Sequence, residues 1–150
     1  MLMDESLANV SKINVVSESY PPFIIVENTI ISGAITEEVK RILEISKLQY
    51  TLNAYPWARS YQLASSQPNT LIYSIVKSAE RSPYFHWYCP IYESSAVFAF
   101  KLAANSADIS SIATLKQTLV GTTRHGINHE HLKNYGFTVD KNLDISATEN

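Results

Sequence analysis

The sequence has little cysteine, little charge and no long apolar run. Cys89 is the only cysteine in the chain, which excludes an internal disulfide and a structural zinc site built on several thiolates. The longest apolar stretches, residues 96–104 and 23–26, are strand-sized and far below the ~18 residues that span a bilayer. The first dozen residues hold Asp4 and Glu5 and no hydrophobic segment, so they do not resemble a secretory signal peptide.

Charge and composition narrow the class of protein further. The net charge is −2, and only 17% of the 150 residues are charged, so no basic field exists to attract nucleic acid. The hydrophobic fraction of 45% and the aromatic fraction of 11% are those of a folded protein rather than a disordered one. The length suits one domain. We therefore expect a folded protein that does not bind nucleic acid.

Strand and helix patterns alternate along the chain. A β-branched run predicts a buried strand over residues 12–17, which ends before Pro21 and Pro22. Thr36 is a candidate helix cap, with Glu37 and Glu38 in the first turn. Further strands are predicted at 50–55, 70–76, 92–100, 119–123 and 143–146, and further helices at 57–66, 112–118 and 128–135, the last followed by a left-handed Gly136. This alternation predicts βαβ units and a parallel sheet.

The pattern also predicts two parts of unequal size. A polar break at residues 105–108 separates a first lobe, residues 1–104, from a partial second lobe, residues 105–150. The second part has one βαβ unit, which is too small to close a core of its own. Unpaired strand edges would favour pairing with a second copy of the chain, so a homodimer is expected.

Polar and aromatic side chains follow the predicted strands, at the edge where ligands bind in open parallel sheets. An aromatic wall beside an arginine suits a small solute with a carboxylate, because a guanidinium pairs with a carboxylate through two hydrogen bonds. The competing interpretation makes the aromatic residues part of the core and Arg81 a surface residue paired with Glu80 or Glu93. The candidates are Glu18, Tyr20 and Phe23 after the first strand, Trp57 and Arg59 after the second, and Ser74, Lys77 and Arg81 after the third.

Metal and catalytic sites find little support. His129 and His131 are two residues apart and would face different directions on a helix, while Gly126 places His125 before that helix. Cys89 precedes a proline and has no base beside it, which favours an inert thiol. No phosphate loop, nucleophile elbow or zincin motif occurs. We expect no metal, no cofactor and no catalytic residue.

Four short segments carry a resemblance to a known family. They are ESYPPF at 18–23, YPWAR at 55–59, SIVKSAER at 74–81 and GTTR at 121–124. In this order they resemble the motifs of the family-3 extracellular solute-binding proteins, the type II periplasmic binding proteins that serve amino-acid transporters and many receptor sensors. The resemblance runs from about residue 12 to the end of the chain.

The resemblance implies a two-lobed clamp of the type II periplasmic-binding fold, here one nearly complete Rossmann-like lobe and part of a second. The solute would lie in an interlobe cleft, with its α-carboxylate on Arg81 and its body against Tyr20 or Phe23. Arg124 and Asn128 would bind it from the second lobe. The chain has Val76 where the family places a threonine, and it has Gly126-Ile127-Asn128 where the family has Gly-Thr or Gly-Ser. Two hydroxyl partners of an ordinary amino acid are therefore absent, and Glu18 is the candidate partner for a ligand ammonium.

The function expected from the resemblance is periplasmic capture of a small carboxylate or other anion for transport or sensing, without catalysis and with the leader absent from this sequence. A membrane transporter or receptor would be its partner. Two alternatives stay open. One is a dehydratase-like enzyme of the same superfamily acting on a cyclic acid, with Glu18, Lys77 and His125 as the groups to test. The other is a degenerate fragment that binds nothing.

Overall fold

The computed structural model describes residues 12–88, 90–91, 98–123 and 125–138. The chain divides into two compact units, Met1–Ile75 and Val76–Asn150. The predicted lobe boundary at residue 104 stays a prediction. Cys89, Arg124, residues 92–97 of one predicted strand and the predicted strand at 143–146 lie outside the described residues.

A three-stranded parallel sheet organises the first unit. Its order is β4-β1-β5, where β1 is Ile13–Ser17, β4 is Tyr50–Ala54 and β5 is Thr70–Ile72. The central strand pairs with both neighbours in parallel, with Val15 opposite Leu52 on one side and Leu71 on the other. Val15 and Val16 point to opposite faces of the sheet and both are fully buried, so both faces are covered at the central strand. The α/β class and the parallel sheet predicted from the sequence are confirmed.

The described part of this unit, residues 12–75, contains two helices, α1 at Ala34–Ile45 and α2 at Trp57–Ser66. The second helix has the predicted bounds. In α1, Val39 and Leu43 join the buried core with Val15, while Ile42 on the same predicted face stays 41% exposed. The spacing of four residues between Val39 and Leu43 places both side chains on one face of the helix. The apolar periodicity thus predicts the position of the helix, but the buried face is narrower than predicted.

A short hairpin precedes α1. Strand β2, Ile25–Glu27, pairs antiparallel with β3, Ile30–Ser32, through a turn in which Asn28 has a φ of 55°. Asparagine tolerates the left-handed conformation because its side chain is short and polar. Gly33 follows with a φ of 107°, and the helix begins at the next residue. The hairpin therefore leads the chain directly into α1.

Several predicted boundaries are wrong. Thr36 does not cap α1; the cap residue is Gly33, and Thr36 lies inside the helix with its hydroxyl 3.0 Å from that of Tyr73. Strand β5 ends at Ile72 instead of residue 76, because Ser74 adopts a left-handed φ of 60° that an extended strand cannot accommodate. Residues 98–100 and 119–123 form no strand.

The second unit is described as short helices joined by irregular backbone. A 3-10 turn spans Ser82–Tyr84, α3 spans Ile112–Leu115 and α4 spans Ile127–Asn134. Helix α3 is shorter than predicted and starts with a capping box formed by Ser111 and Thr114. Gly136 has a φ of 77° just beyond α4, as predicted. Among the helices of the described residues, none has the length and apolar character required to cross a membrane.

Candidate functional site

The carboxyl edge of the parallel sheet in the first unit is fixed by hydrogen bonds around Ser17. The Ser17 hydroxyl donates to the carbonyl of Tyr73 at 3.1 Å, and the Ser17 carbonyl accepts from the hydroxyl of Ser60 at 2.8 Å and from the N–H of Tyr55 at 2.9 Å. Ser17 and Ser60 are both buried. The strand ends are therefore held at one edge, from which Glu18 continues.

Glu18 is the first residue beyond β1 and is half-buried. Loss of hydration through burial raises the pKa of its carboxyl from 4.5 to about 7. A carboxyl with this pKa holds its proton at mildly acidic pH and becomes charged near neutrality. An arriving cation would favour the charged form, which is the property expected of a partner for a ligand ammonium.

Tyr20 and Phe23 form an aromatic pair on the loop after Glu18. Their ring centroids are 5.8 Å apart with an interplanar angle of 23°, and Tyr20 is 52% exposed. A bridge between Tyr20 and Ile24 closes this loop, and the fully buried Ile24 anchors it in the core. The loop is therefore anchored to the core and presents two stacked aromatic rings.

The remaining candidates of the first unit differ in exposure. Trp57 is buried at the start of α2, with its ring centroid 5.9 Å from that of Tyr61, so it contributes to packing. Arg59 is exposed and its guanidinium carbon lies 4.2 Å from the ring centroid of Tyr55, a cation–π arrangement. Ser74 is exposed at the end of the sheet in its left-handed conformation.

Arg81 belongs to the second unit and, among the residues described there, is the most deeply buried large side chain, at 1% exposure. Its Nε donates to Oε1 of Glu130 at 2.7 Å, and its Nη2 forms an ion pair with the same oxygen. The interpretation of Arg81 as a surface residue is wrong. Its position relative to Tyr20 and Trp57 stays a prediction.

Ser78 also binds the Glu130 carboxylate. Its hydroxyl donates to Oε2 of Glu130 at 3.1 Å and accepts from the N–H of Arg81 at 3.2 Å. The Arg81 guanidinium also donates through Nη2 to the carbonyl of His125 at 3.0 Å and through Nη1 to the carbonyl of Val76 at 3.4 Å. Both carboxylate oxygens and both ends of the guanidinium are therefore engaged, as the strict pairing of buried charges requires.

An open cavity of about 430 Å³ adjoins this ion pair, between the 76–80 segment and α4. Glu130 and Ser78 are part of its wall. Cavities of ~300 to 1,000 Å³ are typical of small-ligand sites. Its remaining lining combines apolar and polar side chains, namely Val76, Lys77, Ala79, Glu80, Ile127, His131 and Asn134.

Asn128 lies half-buried on α4, and Arg124 lies outside the described residues. The imidazole centroids of His125 and His129 are 6.1 Å apart. Across the parts of the chain that the structure describes, no three histidine, cysteine or acidic side chains gather as a metal site would require. The roles predicted for Asn128 and Arg124 stay predictions.

Sequence reasoning missed Glu130 and Ser78. Their contribution depends on contacts between residues 49 and 52 positions apart, which no local pattern reveals. One signal was present: Ser78 and Arg81 are three residues apart in a segment with few apolar side chains, which is compatible with a turn that closes on itself. Glu130 had no signal beyond a place in the first turn of a predicted helix.

Comparison with protein-family models, with curated proteins and with solved structures found no match to this chain.

Proposed function

We propose that this protein binds a small carboxylate-bearing solute and releases it unchanged, and that Arg81 and Ser78 supply the carboxylate-binding groups. The proposal depends on one observation: Arg81 and Ser78 both donate hydrogen bonds to the Glu130 carboxylate, which lies at the wall of an open cavity. An arginine and a hydroxyl aimed at the same carboxylate form a recognition site for that group.

The surroundings support a solute of modest size. Lys77 adds a second cation at the cavity wall, whereas Val76 and Ile127 offer apolar surface for the body of the solute. Burial of Arg81 strengthens its attraction for an anion because little water screens it. The type II periplasmic-binding fold, an extracytoplasmic location, and a membrane transporter or receptor as the partner that responds to the loaded form all belong to the same proposal.

One observation favours a second candidate, an enzyme acting on a cyclic carboxylic acid. The pKa of Glu18, raised to about 7 by burial, suits a general acid or base at neutral pH. Incubation of each candidate acid with the protein, followed by NMR of the solute, separates the two functions. A binding protein leaves every solute unchanged, and a new product would favour the enzyme.

A thermal-shift screen tests the binding function directly. Amino acids, dicarboxylates and aromatic acids are compared with polyamines and with chloride at equal ionic strength. A solute at 100 times its Kd stabilises the folded state by about 2.7 kcal/mol, which a thermal scan resolves easily. We expect a saturable rise in Tm with at least one carboxylate and none with polyamines. The absence of any saturable rise across the carboxylates would overturn the proposal.

The obvious variant, Arg81→Ala, is a poor test, because it leaves the half-buried Glu130 carboxylate without its cation and lowers stability for that reason alone. The double variant Arg81→Gln/Glu130→Gln replaces the ion pair by two neutral amides of similar size. We expect it to fold and to lose the Tm response to the solute. Glu38→Gln/Arg41→Gln, which removes an exposed ion pair of α1, is the matched control and keeps the response.

A further inference from the structure

We infer that Glu130 is an internal competitor for the solute: its carboxylate occupies the position on Arg81 and Ser78 that the solute carboxylate takes, so that binding exchanges one carboxylate for another. The inference rests on the proposed function and adds the regulation of that site.

The geometry of the Glu130 carboxylate is that of a bound ligand. One oxygen accepts from Nε of Arg81 and forms an ion pair with Nη2, and the other accepts from the hydroxyl of Ser78. A carboxylate from solution has the same two oxygens at the same spacing, so it can make the same three contacts. A solute lacking a carboxylate cannot replace them all, and it would leave the buried guanidinium without a counter-charge.

The receiving groups are held in place without Glu130. The Ser78 hydroxyl is bonded to the N–H of Arg81, and the Arg81 guanidinium is bonded to the carbonyls of His125 and Val76. None of these contacts involves the glutamate. The carboxylate position therefore keeps its shape after Glu130 leaves, and the ordering that a ligand would otherwise have to impose is already present.

Glu130 is also the more exposed partner of the pair. Its side chain is 15% exposed against 2% for that of Arg81, and it lies on the first turn of α4 at the cavity wall. Rotation about its side-chain bonds moves the carboxylate into the cavity, whereas Arg81 is enclosed. When Glu130 leaves, the carboxylate-binding position on Arg81 and Ser78 therefore opens toward the cavity, from which a solute arrives.

The competitor lowers the apparent affinity of the solute. When a site is free for only a fraction of the time, the apparent Kd equals the intrinsic Kd divided by that fraction. If Glu130 occupies the position nine-tenths of the time, its removal tightens binding about tenfold. Glu130 thus sets the solute concentration at which the protein responds.

Acetate is the probe for the test, because it presents a carboxylate and little else. Glu130→Gln keeps the volume of the side chain and removes its charge, whereas Glu130→Ala vacates the position. We expect Glu130→Gln to bind acetate at least about tenfold more tightly than the unmodified protein, measured by calorimetry against chloride of equal ionic strength. Acetate should also restore the Tm that Glu130→Ala loses. Glu37→Gln, an exposed ion-pair glutamate, is the control and leaves acetate binding unchanged.

The outcomes separate this inference from the proposed function. Binding of carboxylates by the unmodified protein with no gain in Glu130→Gln overturns the competitor role and leaves the function standing. Acetate binding that appears only in the Glu130 variants supports the competitor role, and the thermal-shift screen then decides whether the unmodified protein binds a larger carboxylate. Acetate binding to none of the proteins overturns the competitor role, whereas the proposed function falls only if the thermal-shift screen finds no saturable rise with any carboxylate. If Glu130→Ala shows no cooperative unfolding transition even in acetate, the acetate affinity of Glu130→Gln alone tests the competitor role.

Discussion

The hydroxyl groups of Thr36 and Tyr73 lie 3.0 Å apart, and both side chains are buried. This hydrogen bond joins α1 to the residue that follows β5, at the carboxyl edge of the sheet. Burial raises the pKa of Tyr73 above its usual value, with the Thr36 hydrogen bond acting in the opposite direction. A buried hydrogen bond between side chains thus links a helix to a strand end.

Removal of one hydroxyl of this pair breaks a buried hydrogen bond, and the side chain of Ser17 also interacts with Tyr73. We expect Tyr73→Phe to lower the free energy of unfolding by about 1–2 kcal/mol, in the range found for a buried polar group that loses its partner. Thr36→Val should have a similar effect, and the double variant should cost clearly less than the sum. Urea unfolding of the four proteins measures this, with the exposed Tyr84→Phe as control. Additive losses would contradict coupling of the two hydroxyls.

Glu18 predicts a dependence of stability on pH. Its carboxyl has a pKa of 4.5 in the reference state and about 7 in the folded protein, so between these values the folded protein holds a proton that the unfolded chain has released. The contribution of Glu18 to the free energy of unfolding is therefore most favourable below pH 4.5. It falls as the pH rises from 4.5 to 7 and is constant at higher pH.

The variant Glu18→Gln removes this dependence, since an amide does not titrate. We expect it to be about as stable as the unmodified protein at pH 4 and about 1–2 kcal/mol more stable at pH 8, a value reduced because the carboxyl keeps part of its hydration. Chemical unfolding across this pH range provides the measurement. Glu27→Gln, at an exposed position of β2, is the control. A constant difference between Glu18→Gln and the unmodified protein would contradict the raised pKa.

The elements that the sequence predicted well are those whose signal is local. The β-branched run of β1 and the proline before Trp57 define a strand and a helix through the conformations of their own residues. The elements that were wrong depend on contacts far along the chain. Thr36 looks like a cap in isolation, but its hydroxyl serves Tyr73, 37 residues away, and Gly33 starts the helix because only glycine fits there.

Prediction of the candidate site from the sequence has the same limit. Arg81 was singled out from the sequence, yet its burial and its glutamate partner come from a pairing across 49 residues. A charge in a sequence does not reveal whether water or another charge surrounds it. The choice between a surface arginine and a buried one is made by the tertiary structure, and Glu130 enters only there.

Gly33 and Gly136 both have positive φ, and their surroundings predict different sensitivities to substitution. A Cβ at Gly33 would lie 2.4 Å from the carbonyl oxygen of Phe23, whereas at Gly136 the nearest atom would be Nζ of Lys116 at 3.7 Å. We expect Gly33→Ala to cost about 3 kcal/mol or more, and Gly136→Ala about 1 kcal/mol from its conformation alone. Thermal unfolding measures both. Equal effects would contradict the close approach of Gly33 to the Phe23 backbone.

Ser78 predicts a separate effect on the ion pair of the second unit. Its hydroxyl accepts from the N–H of Arg81 and donates to Glu130, so Ser78→Ala removes two hydrogen bonds around a buried charge pair while leaving both charges in place. We expect a loss of about 1–3 kcal/mol, because a bond to a charged group is among the stronger ones. Ser106→Ala, at an exposed position of the same unit, is the control and should change stability little. If Ser78→Ala is as stable as that control, the carboxylate is held by Arg81 alone, and the hydroxyl has no part in recognising a solute.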